Sequence, residues 1–332
     1  MKVRLRSWRI CWSFFVMLAI IFSCAILLKY FASGSNDVND TLSPREFFDL
    51  IVKKYGWRRQ LEVVTLEDGS RVNVTDVIVA GRDGTIVVRV AAIKLGTHSS
   101  AKLMLPEKLT PDAIDTSQWK IDHSYIRRNS YYHSMIESIF QSKSIKMSRD
   151  TYAKVLSIGL GGGTLDGFLH HVFPLMDITV VDISPQIVNM ARKWFGLKED
   201  DHHRVEIADG VKFLAEKAKM GWIYDVILLD ACLTEQTQGI LCPVESFLED
   251  TVIANIAQSV HKEGIFVSNA LSMTMSRDDL YKYLTKRFLS HFAHCERRDV
   301  RASANQVIYC THYTPVENHR IDLYKFLNET ML

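Results

Sequence analysis

From Lys154 onward the chain alternates short apolar runs with amphipathic stretches, and few folds accommodate that alternation. The runs are Val155 to Ile158, Ile178 to Val181, Val205 to Ile207, Val226 to Leu229 and Gly264 to Asn269. Helix-like segments at 164–172, 185–195, 210–219 and 246–260 separate them, with another at 277–290. Nearly all-apolar strands that alternate with helices describe a parallel sheet covered on both faces. Two last strand-like runs, His291 to Val300 and Gln306 to Tyr313, give that sheet an antiparallel end.

The sharpest local feature is the first strand, which runs through Ile158 straight into Gly159-Leu160-Gly161-Gly162-Gly163 and then a helix. Glycines there let the backbone turn tightly and approach a ligand, while the helix N-terminus presents unpaired N–H groups. Asp182 ends the next strand, 19 residues beyond Gly163, where a carboxylate can accept both hydroxyls of a ribose. Asp209-Gly210 follows the third strand and Asp230 ends the fourth. Any one of these acids alone reads equally well as a helix cap. Together with the glycines they outline one crevice at the carboxyl edge, where open α/β sheets bind ligands. A dinucleotide-dependent dehydrogenase fits the glycines and Asp182 but leaves Asp209-Gly210 unexplained.

These residues resemble the class I methyltransferases that use S-adenosylmethionine, in their spermidine-synthase-like branch. Ile158 to Gly163, Ala208-Asp209-Gly210 and Tyr224-Asp225-Val226-Ile227 carry the resemblance, with Trp194-Phe195-Gly196, Cys242-Pro243 and Asp122-His123-Ser124-Tyr125. It covers about residues 119 to 313 and is nearest to members that methylate elongation factor one alpha. The resemblance implies a Rossmann-like methyltransferase domain over 119–315, with S-adenosylmethionine as cofactor. Gly159, Gly161 and Gly163 would face its methionine part, Asp182 the ribose, Asp209-Gly210 the adenine, and Asp230 the floor near the sulfonium. Ser157 stands where many members carry an acid that holds the cofactor's amino group. Asp230 and Glu235 are the candidate proton acceptors for an amine acceptor. His123 and Tyr125 are candidates to close over the cofactor. No metal site is expected.

A polyamine aminopropyltransferase is the alternative. Such enzymes carry a second acid three residues after the one that ends the fourth strand, and Leu233 stands there in Asp230-Ala231-Cys232-Leu233-Thr234-Glu235. A catalytically inactive module that keeps the cofactor fold is a third reading. The methyl acceptor is open among protein, glycan and small molecule. Arg127-Arg128, Arg297-Arg298 and Arg301 lack interleaved aromatic platforms, so nucleic acid is not an expected partner.

Upstream, Ser43-Pro44-Arg45-Glu46 reads as a capping box with proline at the first helical position. Gln60 to Leu66, Arg71 to Val79 and Thr85 to Ile93 are β-rich runs separated by Asp68-Gly69 and Asp83-Gly84, both hairpin signals. Residues 43–118 are therefore expected to form a small helix plus an antiparallel β segment. Residues 94–120 read as irregular, 121–142 as helical and 316–332 as a tail.

Charge is distributed unevenly. Five of the 40 basic residues and none of the 38 acidic ones lie in the first thirty, where Ile10 to Leu28 is an uncharged run. That length suits a bilayer core. The expectation is a cytosolic N-terminus at 1–9, a transmembrane signal anchor at 10–29, a linker at 30–42 and a lumenal or extracellular type II domain. A cleaved, secreted form is the alternative. Sequons at Asn39, Asn73 and Asn328 agree with that placement. If the last hairpin turns at Ala302 and Ser303, Cys295 falls opposite Cys310 and a disulfide can form. Two reduced, buried cysteines are the equal alternative.

Overall fold

In the computed structural model, residues 41–330 are described apart from 82–83, 95, 234–237, 302 and 316–322. Two compact units are distinguished. The smaller takes residues 41–51 and 106–114, and holds most of helix α1 (Pro44–Tyr55) with the 3-10 turn Pro111–Ile114. Helix α1 starts as its sequence dictates. The Ser43 hydroxyl donates to Glu46 at 2.6 Å and the Ser43 amide to the same carboxylate at 3.0 Å, closing the capping box.

The larger unit carries two sheets. The first is antiparallel, in the order β1 (Arg58–Thr65), β2 (Arg71–Gly81), β3 (Gly84–Ile93), β4 (Gly96–Lys102). Strand β4 lies within the stretch expected to be irregular. Its residues show no apolar alternation, and pairing with β3 rather than its own pattern makes it a strand.

The second sheet is mixed, ordered β11-β12-β10-β8-β5-β6-β7. Its parallel part is β5 (Ala153–Ile158), β6 (Met176–Asp182), β7 (His203–Ile207), β8 (Tyr224–Leu229) and β10 (Val260–Ser272). The hairpin β11 (His294–Asp299) and β12 (Gln306–Thr311) runs antiparallel onto β10, and the short β9 (Ile240–Cys242) pairs with the end of β10. Helices α3 (Thr164–Val172), α4 (Pro185–Trp194), α5 (Gly210–Lys219), α6 (Asp250–Ser259) and α7 (Arg277–Phe288) alternate with the strands. Leu156, Ile227 and Phe266 are fully buried in the central strands, each worth roughly 1.5–3 kcal/mol of burial.

The helix expected over 121–142 is only α2 (Tyr131–Ile139). Ser130 ends the upstream turns by accepting from the His133 amide, so the helix begins ten residues late. Within the expected tail, Leu323–Thr330 forms helix α8. Arg89 fixes the small sheet against the large one. It makes a two-point pair with Asp76, at 2.7 and 3.0 Å, and donates to the carbonyls of Trp194 and Thr116, both at 2.8 Å.

Cys295 stands opposite Cys310 across β11 and β12, and their sulfurs are bonded. A second bridge joins Cys232 to Cys242. Nothing in the spacing of the second pair marked it beforehand. Among the described residues no helix is long and apolar enough to cross a membrane. The run assigned to an anchor, 10–29, and the sequon at Asn39 lie outside the described residues.

Candidate active site

The carboxyl ends of β5, β6, β7 and β8 open into one cavity of about 420 Å³, within the ~300–1,000 Å³ usual for small-molecule sites. The glycine loop shapes its floor. Gly159 has φ +94°, and a Cβ there would lie 2.5 Å from the Asp230 carbonyl oxygen, so only glycine fits. A Cβ on Gly161 would meet the Ser99 hydroxyl at 2.5 Å. That hydroxyl instead accepts from the Gly162 amide at 2.8 Å, so the small sheet holds the loop from above.

Asp182 also serves the loop. One carboxylate oxygen accepts from the Leu160 amide at 2.8 Å and the other from the Ser184 amide at 2.9 Å, and the residue lines the cavity. Burial raises its carboxyl above the usual range, and the amides of Leu160 and Ser184 offset part of that rise. Asp209 caps α5 by accepting from the amides of Val211 and Lys212, at 2.9 and 3.3 Å, and lines the cavity as well. The cap and ligand readings of that residue are compatible. Gly159, Gly161, Gly210 and Asp230 share the lining, with Ile183, Ile187 and Phe247 as an apolar wall.

Three expectations change. Gly163 caps α3 in the left-handed region and does not line the cavity, because the chain has already turned into the helix. His123 packs against Gly167 and Gly196, where their missing side chains leave room, and is likewise absent from the lining. Tyr125 lines a different cavity. Glu235 lies outside the described residues.

Asp230 is held at both carboxylate oxygens. Its Oδ1 accepts from the Asn269 amide at 2.7 Å and its Oδ2 from the Tyr131 hydroxyl at 3.2 Å, while Asn305 donates to the Asn269 carbonyl oxygen at 2.9 Å. Desolvation pushes its carboxyl up to about 7, against which the Asn269 and Tyr131 hydrogen bonds act. Burial and the Asp230 charge push the Tyr131 hydroxyl well above its ordinary value, so it is a donor at any physiological pH. A carboxyl poised near neutrality can take a proton from an amine or stay charged beside a cation.

Three further groups lie at or near the site without a sequence signal strong enough to find them: His98 lines the cavity, Tyr131 is bonded to Asp230, and Asp166 is buried outside the lining. Asp166, in the first turn of α3, is buried near Ser157 and is pushed to about 7 by desolvation. Its Oδ1 has no partner among the described residues. It supplies a carboxyl next to the position where Ser157 replaces the expected acid. His98 lines the cavity with its Nε2 shielded and unpartnered among the described residues, and burial holds it neutral by lowering its pKa. Tyr131 stacks obliquely on Tyr132, ring centroids 4.2 Å apart.

The donor set fits a nucleoside sulfonium. Glycine-loop backbone and an acid face the sugar, apolar side chains flank a flat base, and a carboxylate stands where positive charge would lie.

Comparisons with known proteins agree. A family model described as "Spermine/spermidine synthase domain" matches residues 129–298. The human eEF1A lysine and N-terminal methyltransferase is 28% identical over 194 residues, covering 57% of this chain and 27% of that protein. A polyamine aminopropyltransferase of Vibrio vulnificus is 28% identical over 156 residues, 47% of this chain and 49% of its own length. Among solved structures, human methyltransferase-like protein 13 in complex with SAH is 25% identical at a TM-score of 0.53, covering 60% of this chain and 89% of that one. A probable spermidine synthase from Corynebacterium glutamicum, 14% identical at a TM-score of 0.54 over 81% and 86% of the two chains, supports the fold alone. The chain spans about a quarter of the length of the eEF1A-related proteins. The fold is that of the spermidine-synthase-like class I methyltransferases.

These relatives overturn the type II membrane placement. They are named for modifying eEF1A, a translation factor, which is not an acceptor for a lumenal or extracellular domain.

Proposed function

The chain belongs to the spermine/spermidine synthase domain family, whose model covers just over half of it, and from that premise we propose a methyltransferase that uses S-adenosylmethionine on a protein amine. The observation that carries this reading is the position of Asp230. It ends β8 on the cavity floor, poised near neutrality, and its hydrogen bond to Tyr131 leads out of the cofactor cavity. The protein relatives named as eEF1A methyltransferases support a protein acceptor.

The cofactor supplies an activated methyl group when bound, and the chain's own residues do the rest. Gly159 and Gly161 let the backbone approach it, while Asp182 and Asp209 offer acceptor oxygens to its sugar and base. Asp230 in its charged form favours a neighbouring sulfonium and, as a base, takes the proton that an attacking amine must lose. Asn269 and Tyr131 hold that carboxylate in one orientation. Apolar walls exclude water and hold acceptor and donor in line.

Aminopropyl transfer is the weaker reading because Leu233 stands where the second acid of polyamine synthases is expected. The two readings separate in one experiment. The chain is offered tritiated S-adenosylmethionine with eEF1A, and separately the decarboxylated cofactor with putrescine. Methyl incorporation into protein is expected; spermidine formation without it would overturn the proposal.

A further inference from the structure

A second cavity of about 510 Å³ shares His98 with the first and reaches Tyr131 and Tyr132 at its inner end. Its wall is one face of the small sheet. Strand register places Arg58, Val77, Val88 and Lys102 in a single cross-strand row, with Thr75, Val90 and Ser100 in the next. Val79 and Ile86 pair on the other side of that row. The opposite face, with Val72, Val74, Val87 and Ala91, is already buried. An antiparallel sheet packed on one face is ordinarily polar on the other. Here the middle of the second face, Val77, Val79, Ile86, Val88 and Val90, is apolar, which is the composition of a surface that receives something.

The charges around that wall are of one sign. Arg58, Lys102 and Arg127 line the cavity, and no described lining residue is a carboxylate. Lys102 is neutralised by Asp122 at 3.0 Å. Arg58 and Arg127 are exposed and have no ion pair among the described residues. A polyamine or a lysine-rich segment would bring like charge against both guanidinium groups while leaving the apolar wall uncovered.

We propose that this cavity is the acceptor channel, and that it takes an extended segment of a protein chain with apolar side chains on the Val77–Val88 wall and acidic groups at Arg58 and Arg127. The inference rests on the methyltransferase reading for what happens at the inner end, and on the cavity alone for what binds. Strands about 4.8 Å apart put the β1 edge roughly 14 Å from the β4 edge, the span of about four extended residues. An acid that meets Arg58 therefore lies about that number of positions from the residue at the β4 edge.

Two labelled hexapeptides test the idea, Gly-Val-Val-Val-Glu-Glu and Gly-Val-Val-Val-Lys-Lys, followed by fluorescence anisotropy on the full chain with and without S-adenosylhomocysteine. The acidic peptide is expected to bind about tenfold more tightly, as two charge-assisted contacts at an exposed mouth would give. The double variant R58E/R127E is expected to reverse the order. Equal or tighter binding of the basic peptide, acidic preference that survives in the double variant, or failure of the acidic peptide to bind at millimolar concentration would overturn the inference. Acidic preference without any cofactor binding would sink the methyltransferase reading and leave this one standing. Cofactor binding without acidic preference would do the reverse.

Discussion

The hydroxyl of Tyr131 donates to Oδ2 of Asp230 at 3.2 Å, so a residue on the wall of the second cavity is hydrogen-bonded to one on the floor of the first. That contact joins a helix from upstream of the glycine loop to the end of β8, 99 residues later. It also makes the protonation of Asp230 sensitive to Tyr131. The phenol stabilises the charged carboxylate, and Asn269 does the same from the other oxygen.

Removing the phenol separates its role from that of the acid. Y131F should lower kcat by about tenfold and move the acid limb of the rate profile to higher pH, since one stabilising hydrogen bond to the carboxylate is lost. D230N should cost about 100-fold or more and abolish that limb. A pH profile of methyl transfer for the three proteins checks both, and an unshifted limb in Y131F would show that Asp230 is not the titrating group.

Asp230 should also distinguish a charged cofactor from a neutral product. Below pH about 7 its carboxyl is neutral and gives nothing to a sulfonium. Affinity for S-adenosylmethionine should therefore rise several-fold from pH 6 to pH 8, while affinity for S-adenosylhomocysteine stays level. D230N should flatten the difference, as read by equilibrium dialysis.

Asp166 should destabilise the fold at neutral pH. Burial lifts its folded pKa to about 7 from the ordinary 3.8, so the unfolded chain releases its proton first as pH rises. The stability present below pH about 4 is lost progressively up to about pH 7, where the folded group ionises too. D166N should raise Tm by roughly 4–8 °C at pH 8 and by about 2 °C or less at pH 4.5, as followed by calorimetry.

Arg89 ties the roof of the site to its base. R89A leaves Asp76 charged and buried without its partner, and frees the carbonyls of Trp194 and Thr116. A loss of about 3–5 kcal/mol in denaturant unfolding is expected. A loss below about 1 kcal/mol would mean that the pair does not set the position of the small sheet.

The crevice was legible in the sequence because its residues sit at fixed points of a repeating unit. Gly159, Asp182, Asp209 and Asp230 each stand at the end of a strand or within two residues after it, and the alternation of runs and helices locates those ends. Ser99, His98 and Tyr131 had no such marker. Ser99 reaches Gly162 from 63 residues upstream, on a strand whose composition is too polar to announce itself. Asp166 looked like an ordinary acid in a first helical turn, and only the fold shows it buried near Ser157. The span at 10–29 shows the converse. A run of the right length suggested a membrane and a lumenal domain, whereas the relatives reported above are named for modifying eEF1A.

The claim on which the rest depends is that the first cavity holds S-adenosylmethionine. Equilibrium dialysis of the full chain against tritiated S-adenosylmethionine at pH 8 tests it directly. Saturable binding of one molecule per chain is predicted, displaced by S-adenosylhomocysteine and weakened about tenfold or more in D182N, which loses the charged acceptor at the ribose end. Retention no higher than that of a control protein, or saturable binding that D182N leaves unchanged, would contradict the account.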